Sequence, residues 1–222
     1  MNIVTGSSFS DNPELAGYEA ANAALSKIKS IPRFGIVFCS NKRFQDEESL
    51  NILVKTLHKT FKKANPNFEW VGCTTDDISG CTVLVTSSKN IHQSIGISKH
   101  SNKFPKIAGQ KAANEALSKI DLDNHIMSYI SSLAEKDHSK TLDEIHPFLI
   151  TALIPHNVNS DDILHGVNKS IGTRAQVSAH KGHTFSNGVL FKDATILLLK
   201  AFDHVDEFDS FKNKWTSSMF KE

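Results

Sequence analysis

The sequence predicts an α/β fold, internally duplicated into two α-β-α-β-β-β lobes whose mixed β-sheets are flanked by helices. Two observations carry this. The stretch AGYEAANAALSKI, Ala16 to Ile28, returns as AGQKAANEALSKI, Ala108 to Ile120, with ten of thirteen positions identical at a separation of 92 residues. After each copy, short apolar runs alternate with segments of helical periodicity in the same order. The differing pairs, Tyr18/Gln110, Glu19/Lys111 and Ala23/Glu115, fall where a helix faces water. Ala20, Ala24, Leu25 and Ile28 share one face at helical spacing. A common apolar face with a varied outer face is what two equivalent packing positions produce, so the repeat reads as a duplication. The lobes are placed at 1–107 and 108–202, with an insertion at about 121–146 and a C-terminal amphipathic helix over 203–222.

In the first lobe, Pro32 ends the Ala-rich helix and RFGIVFCS, Arg33 to Ser40, reads as a buried strand. In the helix that follows, Leu50, Leu53, Val54, Leu57 and Phe61 recur at i, i+3, i+4, i+7 and i+11, one apolar face. Asp46, Glu47 and Glu48 in its first turn and Lys62 and Lys63 in its last complement the helix dipole. Asn65-Pro66 stops it. FEWVGCTT is a short strand, and TVLVTSSKNIHQSIGISK holds two strands around a turn at Ser88-Lys89-Asn90.

The second lobe repeats the order after an extra segment, Asp121 to His146, with a helix over NHIMSYISSLAEK. HPFLITALIP is a strand. SDDILHGVNKSIG is a helix with Ser160 as N-cap, Ile163, Leu164, Val167 and Ile171 facing inward, and Gly172 as its stop. RAQVSAHKG is a strand running into a loop. In FSNGVLFKDATILLLKAF, two strands lie between short turns, and Asn187-Gly188 is a type I′ hairpin signal, since both positions must tolerate positive φ. In the tail, Val205, Phe208, Phe211, Trp215 and Met219 are spaced three and four apart, which predicts a helix docked on its own domain or offered to a partner.

Composition narrows the function classes. The chain has 222 residues, enough to bury a core, and a formal net charge of +1. That balance leaves no electrostatic footprint for nucleic acid or an anionic membrane. Three cysteines, Cys39, Cys73 and Cys81, make no disulfide framework. No apolar run reaches the roughly 20 residues of a membrane helix. The opening MNIVTGSSFSDNPEL has no basic segment followed by an apolar core, so no secretory leader is expected. These readings predict a cytoplasmic protein with no membrane or nucleic-acid partner. No G-x-S-x-G elbow, P-loop or glycine-rich dinucleotide fingerprint occurs, which makes an enzyme the runner-up reading, and no cofactor is expected.

The polar residues that leave strand ends are the candidate site. In GCTTDDIS, Gly72 to Ser79, Thr74 and Thr75 can donate to a carboxylate, and Asp76 and Asp77 can accept an ammonium group, with Cys73 and the neighbouring strand-end Ser40 beside them. The bland alternative is a solvated Asx-type turn. The equivalent stretch of the second lobe is SAHKGH, with Ser178, His180 and His183; pseudo-symmetry would turn both loops toward one cleft. His180 and His183 also make an H-x-x-H pair that Cys73 or Asp77 would have to complete for zinc, a chance-prone pattern that does not warrant a metal assignment. Cys39 at the end of a strand is a candidate nucleophile if His156 or His180 supplies the base, although such a cysteine more often serves as a small buried hydrophobe.

VFCS at a strand end, an amphipathic helix and VGCTTDDISG, followed in the second half by FSNGVLFKDATILLLK from Phe185 to Lys200, resemble the FIST domain over about Ala16 to Phe202. The resemblance implies a sensory input module of signal transduction that binds a small ligand such as an amino acid. On that reading the lobes are FIST-like and bind a small polar metabolite between them. Ser40, Cys73, Thr74, Thr75, Asp76, Asp77, Ser178, His180 and His183 are then its contacts. A signalling partner protein would read the bound state, through the C-terminal helix among other surfaces. The rival readings are a hydrolase or transferase using Cys39 or the His180/His183 loop, and a scaffold subunit without a ligand.

Overall fold

The described strands form two sheets, one of six strands and one of four. The computed structural model describes residues 3–135, 148–172 and 175–219. They fall into two units, the first built on Met1–Ser88, Lys181–Lys192 and the last residues from Ser217, the second on Lys89–His180 and Asp193–Thr216. Both are α/β. No helix among the described residues is long and apolar enough to cross a membrane.

The first unit runs β1 (Ile3–Ser8), α1 (Pro13–Leu25), β2 (Phe34–Ser40), α2 (Glu47–Ala64), β3 (Glu69–Thr75) and β4 (Cys81–Thr86). It closes with the hairpin β8 (Thr184–Ser186) and β9 (Val189–Phe191). Its sheet is mixed: β2 and β3 are parallel, and the other pairs are antiparallel. Helix α1 starts at Asn12, whose side chain accepts from the Leu15 N–H at 3.0 Å, with Pro13 in the first helical position. Helix α2 starts at Asp46, whose carboxylate accepts from the Ser49 N–H at 2.7 Å. Its predicted inner face, Leu50, Leu53, Val54, Leu57 and Phe61, is buried throughout. That face joins Trp70, Phe68 and Phe185 in one core, with ring centroids 4.6 Å apart for Phe61–Phe68 and 5.8 Å for Trp70–Phe185.

The second unit runs β5 (Ile91–Lys99), α3 (Pro105–Leu117), α4 (Leu122–Ala134), β6 (Phe148–Ile154), α5 (Ser160–Ile171), β7 (Ala175–Lys181), β10 (Ala194–Phe202) and α6 (Val205–Met219). Strand β10 pairs antiparallel with both β5 and β6. In α6, Val205, Phe208 and Phe211 are buried, with Phe208 edge-on to Phe202 and Tyr129, so this face is used within the unit. The side chains of Trp215 and Met219 lie outside the described ones.

The duplication is visible in the topology, in a frame one strand earlier than the sequence suggests. Both units read β-α-β-α-β-β, and β1, α1, β2, α2, β3, β4 correspond to β5, α3, β6, α5, β7, β10, because the order β1-β4-β2-β3 matches β5-β10-β6-β7. The lobes expected at 1–107 and 108–202 are therefore cut after β5, which opens the second unit instead of closing the first, and β1 is absent from the sequence reading. The strands on either side of Ser88-Lys89-Asn90 do not pair with each other; that turn joins the units.

Local contacts repeat as well. A Cβ on Gly6 of β1 would overlap the backbone of Ala20 and Ala24, and one on Gly96 of β5 would overlap that of Ala112 and Ala116, the same two helical positions. The alanines and the glycine together let strand and helix approach closely. Lys27 Nζ donates to the Thr5 carbonyl at 2.7 Å, and its counterpart Lys119 donates to the Ile95 carbonyl at 2.6 Å. Helix α4 is an addition to the second unit, and residues 136–146 of the expected insertion lie outside the described residues. The N-cap of α5 is Asn159, one residue before the expected Ser160, and its side chain accepts from the Asp161 N–H at 2.9 Å. Gly172 ends that helix at φ +69°, and Asn187 and Gly188 turn the hairpin with φ of 47° and 88°, both as expected.

Candidate functional site

The parallel pairing of β2 with β3 places Ser40 opposite Thr75, so both strands end side by side and their loops leave together. Carboxyl ends of parallel strands are where open α/β sheets bind ligands. The Asn41 N–H donates to the Thr75 carbonyl at 2.9 Å, and Asn41 Nδ2 donates to Asp76 Oδ1 at 3.3 Å. Thr75 Oγ1 donates to Asp77 Oδ2 at 3.0 Å and accepts from the Asp77 N–H at 3.3 Å. Asp76 and Asp77 are exposed while Thr75 is buried. The loop thus presents two carboxylates to solvent on backbone fixed by side-chain hydrogen bonds. Arg43, in the loop after β2, pairs through Nε with Asp11 at 3.3 Å and keeps Nη1 buried without a hydrogen-bond partner among the described residues.

Other candidates of this unit have internal partners. The Ser40 N–H donates to the Gly80 carbonyl at 2.7 Å, and Ser40 is buried. Thr74 is fully buried; its N–H donates to the His183 carbonyl at 3.0 Å and its Oγ1 accepts from the His183 N–H at 2.8 Å. Those two bonds fasten the start of the hairpin to β3, and Gly182 lies so close to the Thr74 carbonyl that a Cβ there would overlap it. His183 itself is exposed.

All three cysteines are buried and free. Burial pushes the Cys81 thiol up to about 12 and the Cys73 thiol further. Cys39 is also raised well above its ordinary value, by burial first and by the neighbouring Cys81 and Cys73 second. Thiols held protonated in an apolar setting are poor nucleophiles. His156 and His180, the proposed bases, belong to the second unit.

In the second unit, Ser178 Oγ donates to the Ile150 carbonyl at 3.3 Å and to Thr151 Oγ1 at 3.4 Å, linking β7 to β6. His180 is half-buried near the end of β7. Among the described residues, one group of three side chains has metal-ligating atoms that converge: His92, His125 and Asp203, all within 4.8 Å of one another. His183, Cys73 and Asp77, which share the first unit, form no such group. His92 Nε2 lies 2.9 Å from Asp203 Oδ2, and His125 Nδ1 lies 2.7 Å from Asp203 Oδ1. The two imidazoles stack with centroids 3.9 Å apart. Burial raises the Asp203 carboxyl, and the hydrogen bonds from His92 and His125 outweigh it, leaving the group below its ordinary value. These three residues come from β5, α4 and the end of β10, and no spacing in the sequence announces them.

No protein-family model matches the chain, and no curated protein matches it by sequence. Solved structures similar to it include cyanuric acid hydrolase from A. caulinodans, at 9% identity over 90% of this chain and 70% of that one, with a TM-score of 0.44. A second cyanuric acid hydrolase structure is 8% identical over 92% of this chain and 68% of that one, TM-score 0.38. FtsZ from M. jannaschii is 12% identical over 65% of this chain and 30% of that one, TM-score 0.29. Likenesses this distant assign this chain neither an activity nor a ligand.

Proposed function

We propose that the chain is a FIST-like sensory module whose first unit binds a small metabolite carrying a protonated amine and a carboxylate, such as an amino acid. The observation that carries this reading is the pair of exposed carboxylates, Asp76 and Asp77, anchored by Asn41 and Thr75 at the ends of two parallel strands. An ammonium group meets two acceptors there through charge-assisted hydrogen bonds. The buried Nη1 of Arg43, in the loop after β2, offers a donor for the ligand's carboxylate. Output follows from differential affinity: the ligand favours one arrangement of these loops, and a partner protein reads it. The raised thiols speak against the rival reading of a cysteine hydrolase.

The test is a thermal-shift and calorimetric screen against free amino acids, simple amines and simple carboxylates. A ligand at 100 times its dissociation constant adds about 2.7 kcal/mol, a shift of roughly 5–10 °C for a chain of this size. The Asp76→Asn/Asp77→Asn variant is expected to abolish the shift, and Arg43→Gln to weaken amino acids while sparing amines. A silent panel, or a shift that the double variant keeps, would overturn the reading.

A further inference from the structure

We propose that His92, His125 and Asp203 form a binding site for a divalent transition metal of the zinc type. The site stands in the second unit and does not depend on the ligand assigned to the first.

The donor set is the first argument. Two imidazole nitrogens and one carboxylate make a borderline N₂O set, which suits zinc and its neighbours and is a poor match for calcium or magnesium. Convergence is the second. The three residues lie 33 and 78 positions apart along the chain, yet β5, α4 and the end of β10 bring their ligating atoms to one point. Ligands at about 2.0–2.1 Å from a tetrahedral ion stand about 3.3 Å from one another. The two imidazole nitrogens stand 2.9 and 2.7 Å from the two Asp203 oxygens, and the ligating atoms of the three residues all lie within 4.8 Å of one another, so side-chain adjustment alone brings them to that spacing.

The backbone holds the carboxylate in place. Asp203 follows β10 directly, the Ala201↔His92 register puts His92 alongside, and the Asp203 N–H donates to the Asn90 carbonyl at 3.2 Å. The ring arrangement is the third argument: the two imidazoles stack with centroids 3.9 Å apart, and each directs a ring nitrogen at Asp203, so the donor atoms of all three residues face one another. On coordination His92 Nε2 and His125 Nδ1 present lone pairs to the ion, and the proton of each ring resides on its other nitrogen. Side-chain exposures of 37% for His92, 14% for His125 and 23% for Asp203 leave one side open to solvent. Water completes the coordination there, as in zinc sites that keep an open position.

The experiment uses the full chain and two probes, Zn²⁺ in equilibrium dialysis and Co²⁺ followed by its visible absorption. One equivalent per chain is expected, with the strong bands of low-coordinate cobalt. His125→Ala and Asp203→Asn should each weaken binding at least tenfold, while His165→Ala, an exposed histidine of α5, should bind as the parent does. Because the first two variants also lose hydrogen bonds, the wild-type chain supplies an independent reading. Long-range ¹H–¹⁵N spectra should show zinc shifting Nε2 of His92 and Nδ1 of His125 alone among the histidines. Absence of stoichiometric binding, binding that the His125 and Asp203 variants retain, or shifts confined to other histidines would each overturn the site.

Discussion

Cys39, Cys73 and Cys81 lie in the sheet interior of the first unit, and burial keeps each thiol protonated. A thiol-reactive dye should therefore label the native chain very slowly and all three cysteines at once after denaturation; rapid labelling of any one would contradict this placement. Asp203 yields a pH prediction. Its folded-state pKa is depressed by His92 and His125 against the opposing effect of burial. A depressed carboxyl contributes stability above its unfolded value, roughly 3.9, and that contribution is lost as pH falls through the folded value. Urea midpoints should accordingly show Asp203→Asn less stable than the parent at pH 7, with the gap narrowing at pH 3. Some residue roles are legible in the chain. Asp76 and Asp77 follow an apolar strand and cannot share its interior, so their exposure follows from hydration cost alone. The partner of Thr74 is not legible, since His183 arrives from 109 positions away. The triad of His92, His125 and Asp203 is invisible for the same reason.

Helices α1 and α3 carry nearly the same sequence because each is clamped between a strand glycine and a second helix, where only small side chains fit. That demand preserves a recognisable stretch, and it makes the duplication legible. The strands that precede them show no such identity. The helices are offset by 92 positions but Gly6 and Gly96 by 90, so a comparison at fixed spacing loses register before it reaches β1 and β5. This is why the repeat frame inferred from sequence starts one strand late. Gly6→Ala and Gly96→Ala test the equivalence. Each puts a methyl group into helix backbone, and each should cost about 1–3 kcal/mol or more in urea denaturation. A near-zero cost at either position would show that its strand can shift away from the helix. Amphipathic elements such as α2 are legible to within a residue because one face alternates with water at the helical period. Strand order is not, because neighbours in a sheet need not be neighbours in the chain.

At the scale of the whole molecule, the chain leaves the second unit at Lys181, contributes β8 and β9 to the sheet of the first, and returns at Asp193. The hairpin covers the edge of β3 and sets Phe185 against Trp70. Phe185→Ala should cost about 3–5 kcal/mol and expose Trp70 to a fluorescence quencher; an unchanged quenching profile would mean that the hairpin adds little to this core. Nothing in the local pattern of FSNGVLF tells which sheet it joins, since a short hairpin signal carries a turn but no address. The same excursion also has a consequence for biosynthesis. The stretch ending at Ser88 leaves the ribosome with one edge of its sheet unmatched, and the strand that matches it is about a hundred residues away. At roughly 5–20 residues per second, the nascent first unit waits on the order of 5–20 seconds for its last strands, an interval in which a chaperone or a second nascent chain can reach the open edge of β3 first.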